Sequence, residues 1–194
     1  MKLIGITGVA TSGKDTLCNL ILEKLKSNNI DGQRLALADK LKEDLFPFIK
    51  DKFNINIFSP SSEEKTLIRP IMVSYGKIKR ILSKGKHWTS LVDDHIEELI
   101  SKNIVPIVTD IRYDEYPEDE YFWLKNKNGI LIHIQRKNNN GEIILPANAE
   151  EATNDVRLKE LSTIKYTWET ESKTCVLYEK HNNLLQEIYE RTLS

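Results

Sequence analysis

The chain has 194 residues, enough for one sizeable domain, and its 40% hydrophobic and 29% charged residues are ordinary for a soluble protein. A formal net charge of -1 provides no overall basic field, which argues against nucleic acid as a partner. The two cysteines indicate neither a disulfide framework nor a zinc site, and neither a signal peptide nor an apolar membrane span is recognisable, so we expect a cytoplasmic protein without a membrane partner.

The first predicted elements are a strand, a glycine-containing loop, a helix and a second strand. A buried strand is expected over 2–7, a loop over 8–13 and a helix over 14–27, where apolar residues recur at helical spacing. A short strand is expected over 33–38, after a run of turn-forming residues. This strand–helix–strand order implies a parallel sheet.

The middle of the chain, 40–102, is expected to be helical with breaks. Ser61 and Glu64 have the spacing of a capping box that opens one helix, and another helix is expected over 89–101. Further strands are expected over 104–109, 130–135, 164–168 and 174–177, followed by a helix over 181–191. Pro106 cannot donate a ladder hydrogen bond, so it is predicted to lie at a bulge or an edge. Because no linker divides the chain, 1–194 is predicted to be one domain.

The spacing Gly-x4-Gly-Lys at positions 8–14 is that of a phosphate-binding loop, and it stands between a predicted strand and a predicted helix. Glycines let backbone N–H groups converge on an anion, and the helix N-terminus adds a partial positive charge. The predicted contacts with a nucleoside triphosphate come from Gly8, Ala10, Ser12, Gly13 and Lys14. Lys14 supplies a movable cation for the β- and γ-phosphates. The alternative is a glycine turn that binds nothing.

Asp15 stands where a hydroxyl residue usually follows the lysine, and Thr16 comes one place later. This Lys-x-Thr spacing resembles nucleoside monophosphate kinases such as adenylate kinase. A carboxylate beside a triphosphate is repelled unless a cation compensates, so Asp15 is predicted to work near Mg²⁺ or to position an acceptor phosphate. The alternative is that it only stabilises the helix N-terminus.

Cations and aromatic residues further along suggest a second ligand that carries a phosphate and a base. The candidates are Asp39, Lys42, Arg69, Tyr75, Arg80 and Trp88. The first two follow a strand, at the edge where open α/β sheets bind ligands. Each candidate has an ordinary alternative, because most surface cations are solvated and most tryptophans belong to a core.

Four later residues complete the predicted site. Asp110 ends a hydrophobic strand, as the Mg²⁺-binding acid of many nucleotide-hydrolysing enzymes does, although it could instead cap the next turn. Arg112 is predicted to reach the acceptor phosphate. Arg136 and Lys137 are predicted to leave a strand into a polar loop that closes as a lid, the alternative being an ordinary exposed loop.

Four segments, in this order, resemble the phage-type deoxynucleoside monophosphate kinases. They are Gly-x4-Gly-Lys-Asp-Thr, Leu-Ala-Asp-x-Leu-Lys, Val-Ser-Tyr-Gly-x3-Arg-x6-His-Trp and Val-Thr-Asp-Ile-Arg-Tyr. The resemblance covers most of the chain and extends to 148–151, 154–155 and Trp168.

The resemblance implies a P-loop kinase core, a parallel sheet between helices, with a helical monophosphate-binding insertion over 40–102 and a lid over 136–155. It implies transfer of the γ-phosphoryl group of ATP to a deoxynucleoside 5′-monophosphate, with Mg²⁺, and it suggests a homodimer. The implied catalytic residues are Lys14, Asp15, Arg112 and Arg136. The metal is assigned to Asp15, Thr16 and Asp110. ATP is assigned to the phosphate loop with Arg136 and Lys137, and the monophosphate to the six acceptor candidates with Asp110 and Arg112.

Two other functions stay open at this point. The same motifs allow a P-loop kinase for another small acceptor, such as a sugar acid or a coenzyme precursor, or a nucleotide-binding switch with little turnover. The acidic run over 114–120 is expected to be a solvated helix start.

Overall fold

A computed structural model describes residues 1–169 and 181–193 of the chain. Within these ranges the strands are β1 (Ile4–Thr7), β2 (Gly32–Leu35), β3 (Val105–Val108), β4 (Ile130–Lys137) and β5 (Ile164–Glu169). The helices are α1 (Lys14–Ser27), α2 (Leu37–Phe53), α3 (Ser62–Leu82), α4 (Lys86–Ser101), α5 (Glu120–Asn126), α6 (Ala149–Leu161) and α7 (Asn182–Leu193). The strand predicted over 174–177 lies outside the described residues.

The five strands form one sheet in the order β2-β3-β1-β4-β5, and every neighbouring pair is parallel. β1 and β3 are buried along their whole length, as central strands of a parallel sheet covered on both faces should be. The predicted α/β class with a helix-flanked parallel sheet is therefore confirmed.

Alternating strand residues supply two cores. Ile130 and Ile132 pack with α1 and α7 on one face of the sheet, whereas Leu131 packs with α4, α5 and α6 on the other. A third apolar cluster joins α2 to α3, around Ile49 and Ile68. The predicted helical character of 40–102 is confirmed by α2, α3 and α4, and the capping box between the side chains and backbones of residues 61 and 64 is present.

The bulge or edge position predicted for Pro106 is wrong. β3 lies inside the sheet, between β2 and β1, and its pairing with β2 runs without interruption from Val105 to Val108. Pairing with β1 begins only one residue after Pro106, at Ile107. The proline therefore stands where the ladder on that side has not yet started, and its missing donor is tolerated.

Two further boundaries differ from expectation. The strand predicted over 33–38 ends at Leu35, and Leu37 already opens α2. The acidic run is not a solvated helix start, because Asp119 is fully buried and Glu120 is 6% exposed. Both carboxylates bind groups inside the protein, as described below. No helix among the described residues is both long enough and apolar enough to span a membrane.

Candidate active site

The loop over 8–13 joins the carboxyl end of β1 to the first turn of α1, and its backbone needs glycine at both ends. Gly8 and Gly13 have positive φ angles of 140° and 93°. A Cβ atom on Gly8 would lie 2.2 Å from the carbonyl oxygen of Ile134. The close approach to β4 and the left-handed entry into α1 therefore explain the glycine spacing.

Trp168 of β5 supports this loop from below. Its indole N–H donates to the carbonyl of Ser12 at 2.9 Å, and the side chain is almost wholly buried. A Cβ atom on Gly13 would lie 2.3 Å from the indole ring. The loop therefore packs directly on the indole ring, and this contact fixes the position of the loop relative to the sheet.

The Lys14 side chain folds back onto the loop that precedes it. Its ammonium group donates to the carbonyls of Gly8 and Val9, at 2.7 Å and 2.8 Å. Burial, and then the nearby Arg112 guanidinium, lower the pKa of Lys14, while neighbouring carboxylates oppose the shift. Two cations that approach each other in a partly buried position would both be stabilised by an anion between them.

A triphosphate fits the chemistry of this loop. The Ser12 hydroxyl is buried without a hydrogen-bond partner among the described residues, so a donor is available inside the loop. The N-terminus of α1 carries no side-chain cap, because Gly13 occupies the N-cap position. Uncapped N–H groups at a helix N-terminus form a favourable site for phosphate.

Glu151 of α6 occupies one donor of the loop. One carboxylate oxygen accepts from the Ala10 N–H at 2.8 Å, and the other accepts from the Ala147 N–H at 2.6 Å. The negative charge of this carboxylate opposes the lowering of the Lys14 pKa, so it acts on the loop lysine as well. An in-chain anion therefore lies against the loop to which a triphosphate would bring further negative charge.

Replacing Glu151 with glutamine is expected to strengthen ATP binding about tenfold, because it removes the negative charge beside the loop and keeps the shape of the side chain. Isothermal titration with ATP measures the change. Glu150→Gln is the matched control, since the Glu150 carboxylate pairs with Lys77 at 3.0 Å instead. Weaker ATP binding in Glu151→Gln would show that the carboxylate holds the loop in its binding shape.

Asp110 lies at the end of β3, as predicted, and both of its oxygens are used. They accept from the N–H groups of Leu37 and Ala38, at 2.9 Å and 2.8 Å. The carboxylate thereby caps α2 rather than the turn that follows it, and explains why the helix starts so soon after β2. Each oxygen keeps a free lone pair, so a further ligand remains chemically feasible.

Arg112 follows Asp110 and is held through its backbone. Its N–H, and that of Tyr113 at 3.2 Å, donate to the same oxygen of Glu120. Burial and the neighbouring Asp110 raise the pKa of Glu120 to about 8. A proton on the other Glu120 oxygen is compatible with both hydrogen bonds. The Arg112 side chain is exposed, and its charge influences the pKa of Lys14.

Asp15, Asp39 and Lys42 are joined through a residue that the sequence did not single out. Arg34 of β2 donates to Asp15 at 2.9 Å and lies 3.6 Å from Asp39, which accepts from Lys42 at 2.8 Å. This chain of ion pairs brings one predicted metal ligand and two predicted acceptor residues to one edge of the sheet. Only one Asp15 oxygen accepts from Arg34, and the metal role of Asp15 remains a prediction.

Arg80 does not face the predicted acceptor site. Its guanidinium is 4% exposed, donates twice to Asp119 at 2.8 Å and 2.6 Å, and donates once to Glu115. The rings of Tyr113 and Tyr116 lie 3.8 Å and 4.9 Å from its carbon. The expectation of a monophosphate contact is corrected, because these partners satisfy the cation within the fold.

Trp88 is a core residue and not an exposed platform for a base. It belongs to α4, is 6% exposed in the core, and donates its indole N–H to the Gly76 carbonyl at 3.1 Å. Tyr75 donates its hydroxyl to Asp44 at 2.6 Å, while Arg69 lies exposed on α3. The predicted ligand contacts of Tyr75 and Arg69 remain predictions.

The predicted lid contains a hairpin and a helix. Arg136 and Lys137 are the last residues of β4, so they belong to the strand and not to the loop. The chain then turns at 138–141 and pairs Lys137 with Ile143 in an antiparallel bridge. The helix α6 that follows contacts the phosphate loop through Glu151. The lid role itself remains a prediction.

Thr16 and Asp110 are two of the three residues predicted to hold Mg²⁺, and that assignment remains a prediction. Thr16 lies in the first turn of α1, two residues after the loop lysine, and Asp110 lies close enough to influence the pKa of Lys14. Mg²⁺ usually takes one or two protein oxygens and completes its shell with phosphates and water. Two oxygen ligands from this chain would match that pattern.

Sequence comparisons do not assign the chain to a family. No protein-family model matches it, and no curated protein matches it either. Among solved structures, it is similar to a candidate kinase from Chloroflexus aurantiacus, with 14% identity and a TM-score of 0.45 over 98% of this chain and 97% of that chain. It is also similar to dephospho-CoA kinase from Campylobacter jejuni, with 14% identity and a TM-score of 0.48 over 97% and 98%. Similarity at this level carries no argument about activity, which rests on the site of this chain.

Proposed function

We propose that this protein is an ATP-dependent phosphotransferase that moves the γ-phosphoryl group to a small acceptor. The observation that carries the proposal is the loop over 8–14, where a lysine folds onto loop carbonyls at the uncapped N-terminus of a helix. Asp110 and Arg112 lie within electrostatic reach of the same lysine, since the charges of both influence its pKa. A triphosphate, a metal-binding carboxylate and a second cation would therefore meet at one edge of the sheet.

In the proposed reaction, the bond between the γ-phosphorus and the oxygen that leaves with ADP breaks as an acceptor oxygen bonds to that phosphorus. Lys14 and the α1 N-terminus would hold the β- and γ-phosphates, and Arg112 would stabilise charge on the transferring group. Mg²⁺, held by Asp110 and Thr16, would neutralise part of the phosphate charge. Arg136 would add a cation from the end of β4. Positioning and charge stabilisation would supply most of the catalysis.

For the acceptor we propose a deoxynucleoside 5′-monophosphate, on the strength of the ordered motifs at 73–88 and 108–113. A phosphate acceptor is already an anion at neutral pH, so no general base is needed. Three cations support this proposal: Arg34 near the end of β2, Lys42 in the second turn of α2, and Arg112 four residues after β3. Within the 73–88 segment, Arg80 and Trp88 are satisfied inside the fold, so the proposal uses the resemblance of that segment but not ligand contacts from these two residues.

The alternative acceptor is a coenzyme precursor or a sugar acid, and the phosphate loop supports it equally well. A nucleotide-dependent switch is the alternative from a different class. It would bind ATP through the same loop and release little ADP, whatever acceptor is offered.

The deciding experiment follows ADP release from ATP and Mg²⁺ in a coupled assay. The acceptors are the common deoxynucleoside and ribonucleoside monophosphates, dephospho-coenzyme A and gluconate. We expect stimulation by at least one deoxynucleoside monophosphate. Stimulation only by one of the last two compounds would reassign the acceptor. Tight ATP binding without stimulation by any of them would favour the switch.

A further inference from the structure

Glu120, in the first turn of α5, holds the backbone of the chain shortly after β3. One of its oxygens accepts from the N–H groups of both Arg112 and Tyr113. In the other direction, the Tyr121 N–H of α5 donates to the Tyr113 carbonyl at 3.1 Å. The Glu120 side chain is buried, so little water can compete for these bonds. Two successive backbone N–H groups are therefore attached to one buried carboxyl group.

A second carboxyl group holds the far end of the same segment. Asp119 accepts from the N–H groups of Glu115 and Tyr116, at 2.8 Å each. It also packs directly against the corner between α3 and α4, where a Cβ atom on Gly85 would lie 2.5 Å from the Asp119 nitrogen. The segment between the two carboxyl groups can therefore shift only if several buried hydrogen bonds break.

The Arg112 side chain has no comparable support of its own. Within residues 1–169 and 181–193 its guanidinium has no hydrogen-bond or ion-pair partner, and the side chain is exposed. Burial lowers the pKa of Lys14 most, and the charge of Arg112 lowers it next, so the guanidinium lies within electrostatic reach of the phosphate loop. The point from which the side chain leaves the fold is set by the backbone that Glu120 holds.

We infer that Glu120 is a positioning residue for Arg112, and that it acts through its hydrogen bonds to the backbone rather than through its charge. The inference rests on the proposed phosphoryl transfer, in which Arg112 stabilises charge on the transferring group. Burial, with Asp110 nearby, raises the pKa of Glu120 to about 8, so at pH 7 the group is mostly neutral and needs only its accepting oxygen. Glutamine offers the same oxygen in the same shape, whereas methionine offers none.

The first test uses the pKa of Lys14 to report where the Arg112 guanidinium lies. It is measured by NMR on protein with isotope-labelled lysine, without ATP, and the signal is assigned by its absence in Lys14→Met. Arg112→Met should raise this pKa, because a neighbouring positive charge is lost. Glu120→Met should raise it as well, since the guanidinium is no longer held near the loop, and Glu120→Gln should not.

Loss of a negative charge at position 120 would by itself lower the Lys14 pKa, so the sign of the change separates positioning from charge. Glu120→Asp is a second variant, for use if Glu120→Met does not fold. It keeps the acid and withdraws the oxygen by one methylene group, and it should also raise the Lys14 pKa. An unchanged or lowered Lys14 pKa in the folded variant would overturn the inference.

The second test is a double-mutant cycle on kcat, in the ADP-release assay with the best acceptor. We expect Arg112→Met to lower kcat about a hundredfold and Glu120→Met about tenfold. The double variant should lose no more than Arg112→Met alone, because Glu120 acts through Arg112. If the two single losses multiply instead, the inference is wrong.

Leu185→Ala is the control for general destabilisation. Leu185 is 1% exposed in α7, which packs on the face of the sheet opposite to α5, so any loss that it causes should multiply with the loss in Arg112→Met. A wild-type protein whose ADP release no acceptor stimulates would count against the proposed function. The Lys14 pKa would still decide this inference, because it requires neither ATP nor turnover.

Discussion

Replacing Lys14 with methionine is expected to lower kcat at least a hundredfold, the usual size of the loss when a cation that stabilises the transition state is removed. The side chain is partly buried and points at the loop carbonyls of Gly8 and Val9. On ATP binding, those hydrogen bonds would exchange for contacts with the β- and γ-phosphates. Methionine keeps most of the length of the side chain and removes the charge.

The measurement is ADP release with the best acceptor from the screen, at saturating ATP. Lys26→Met is the control, because Lys26 is an exposed lysine in the last turn of the same helix, and it should keep its turnover. Circular dichroism should show equal helix content in both variants. Near-normal turnover of Lys14→Met would disprove the proposed mechanism.

Replacing Asp119 with asparagine is expected to lower the free energy of unfolding by about 3–5 kcal/mol, a large part of the total for a domain of this size. One oxygen of this fully buried carboxylate accepts from the Arg80 side chain and from the N–H groups of Glu115 and Tyr116. The other oxygen accepts from Arg80 as well. An asparagine must turn its NH₂ group toward some of these donors, and it leaves the Arg80 charge without its main partner.

Urea unfolding followed by circular dichroism gives the free energy. Glu115→Gln is the comparison, because Glu115 contacts the same guanidinium at 2.8 Å while 46% of its side chain is exposed. Exposed ion pairs contribute about 1 kcal/mol or less, so a small change is expected there. Equal losses of unfolding free energy in the two variants would show that burial of the Asp119 carboxylate adds nothing to its contribution to stability.

Local signals in the sequence were sufficient for much of the fold. The phosphate loop between β1 and α1, and the capping box at Ser61, each depend on residues within six positions of one another, and both are present. The end of the second strand was misjudged for the opposite reason. Leu37 enters α2 because Asp110, 73 residues away, caps its N–H. A propensity scale contains no term for that bond.

The residues of the candidate site also fall into two groups, those that local sequence signals predict and those that they do not. The positions of Lys14, Asp110 and Arg112 could be predicted because each lies at or shortly after the end of a recognisable loop or strand, whereas their roles remain predictions. Glu151 could not, since its bond to Ala10 spans 141 residues and depends on where α6 lies. Arg80 looked like a phosphate ligand only because the chain alone does not reveal that Asp119 is folded beneath it.

The contact between the phosphate loop and Trp168 ties together two positions that are 155 residues apart. Because an added Cβ at residue 13 would lie 2.3 Å from the indole, no larger residue can enter there while the tryptophan remains. A smaller residue at 168 would instead leave a cavity under the loop and free the Ser12 carbonyl. A smaller residue at 168 would still leave a φ of 93° at residue 13, so glycine is required there on two independent grounds, the ring contact and the backbone conformation.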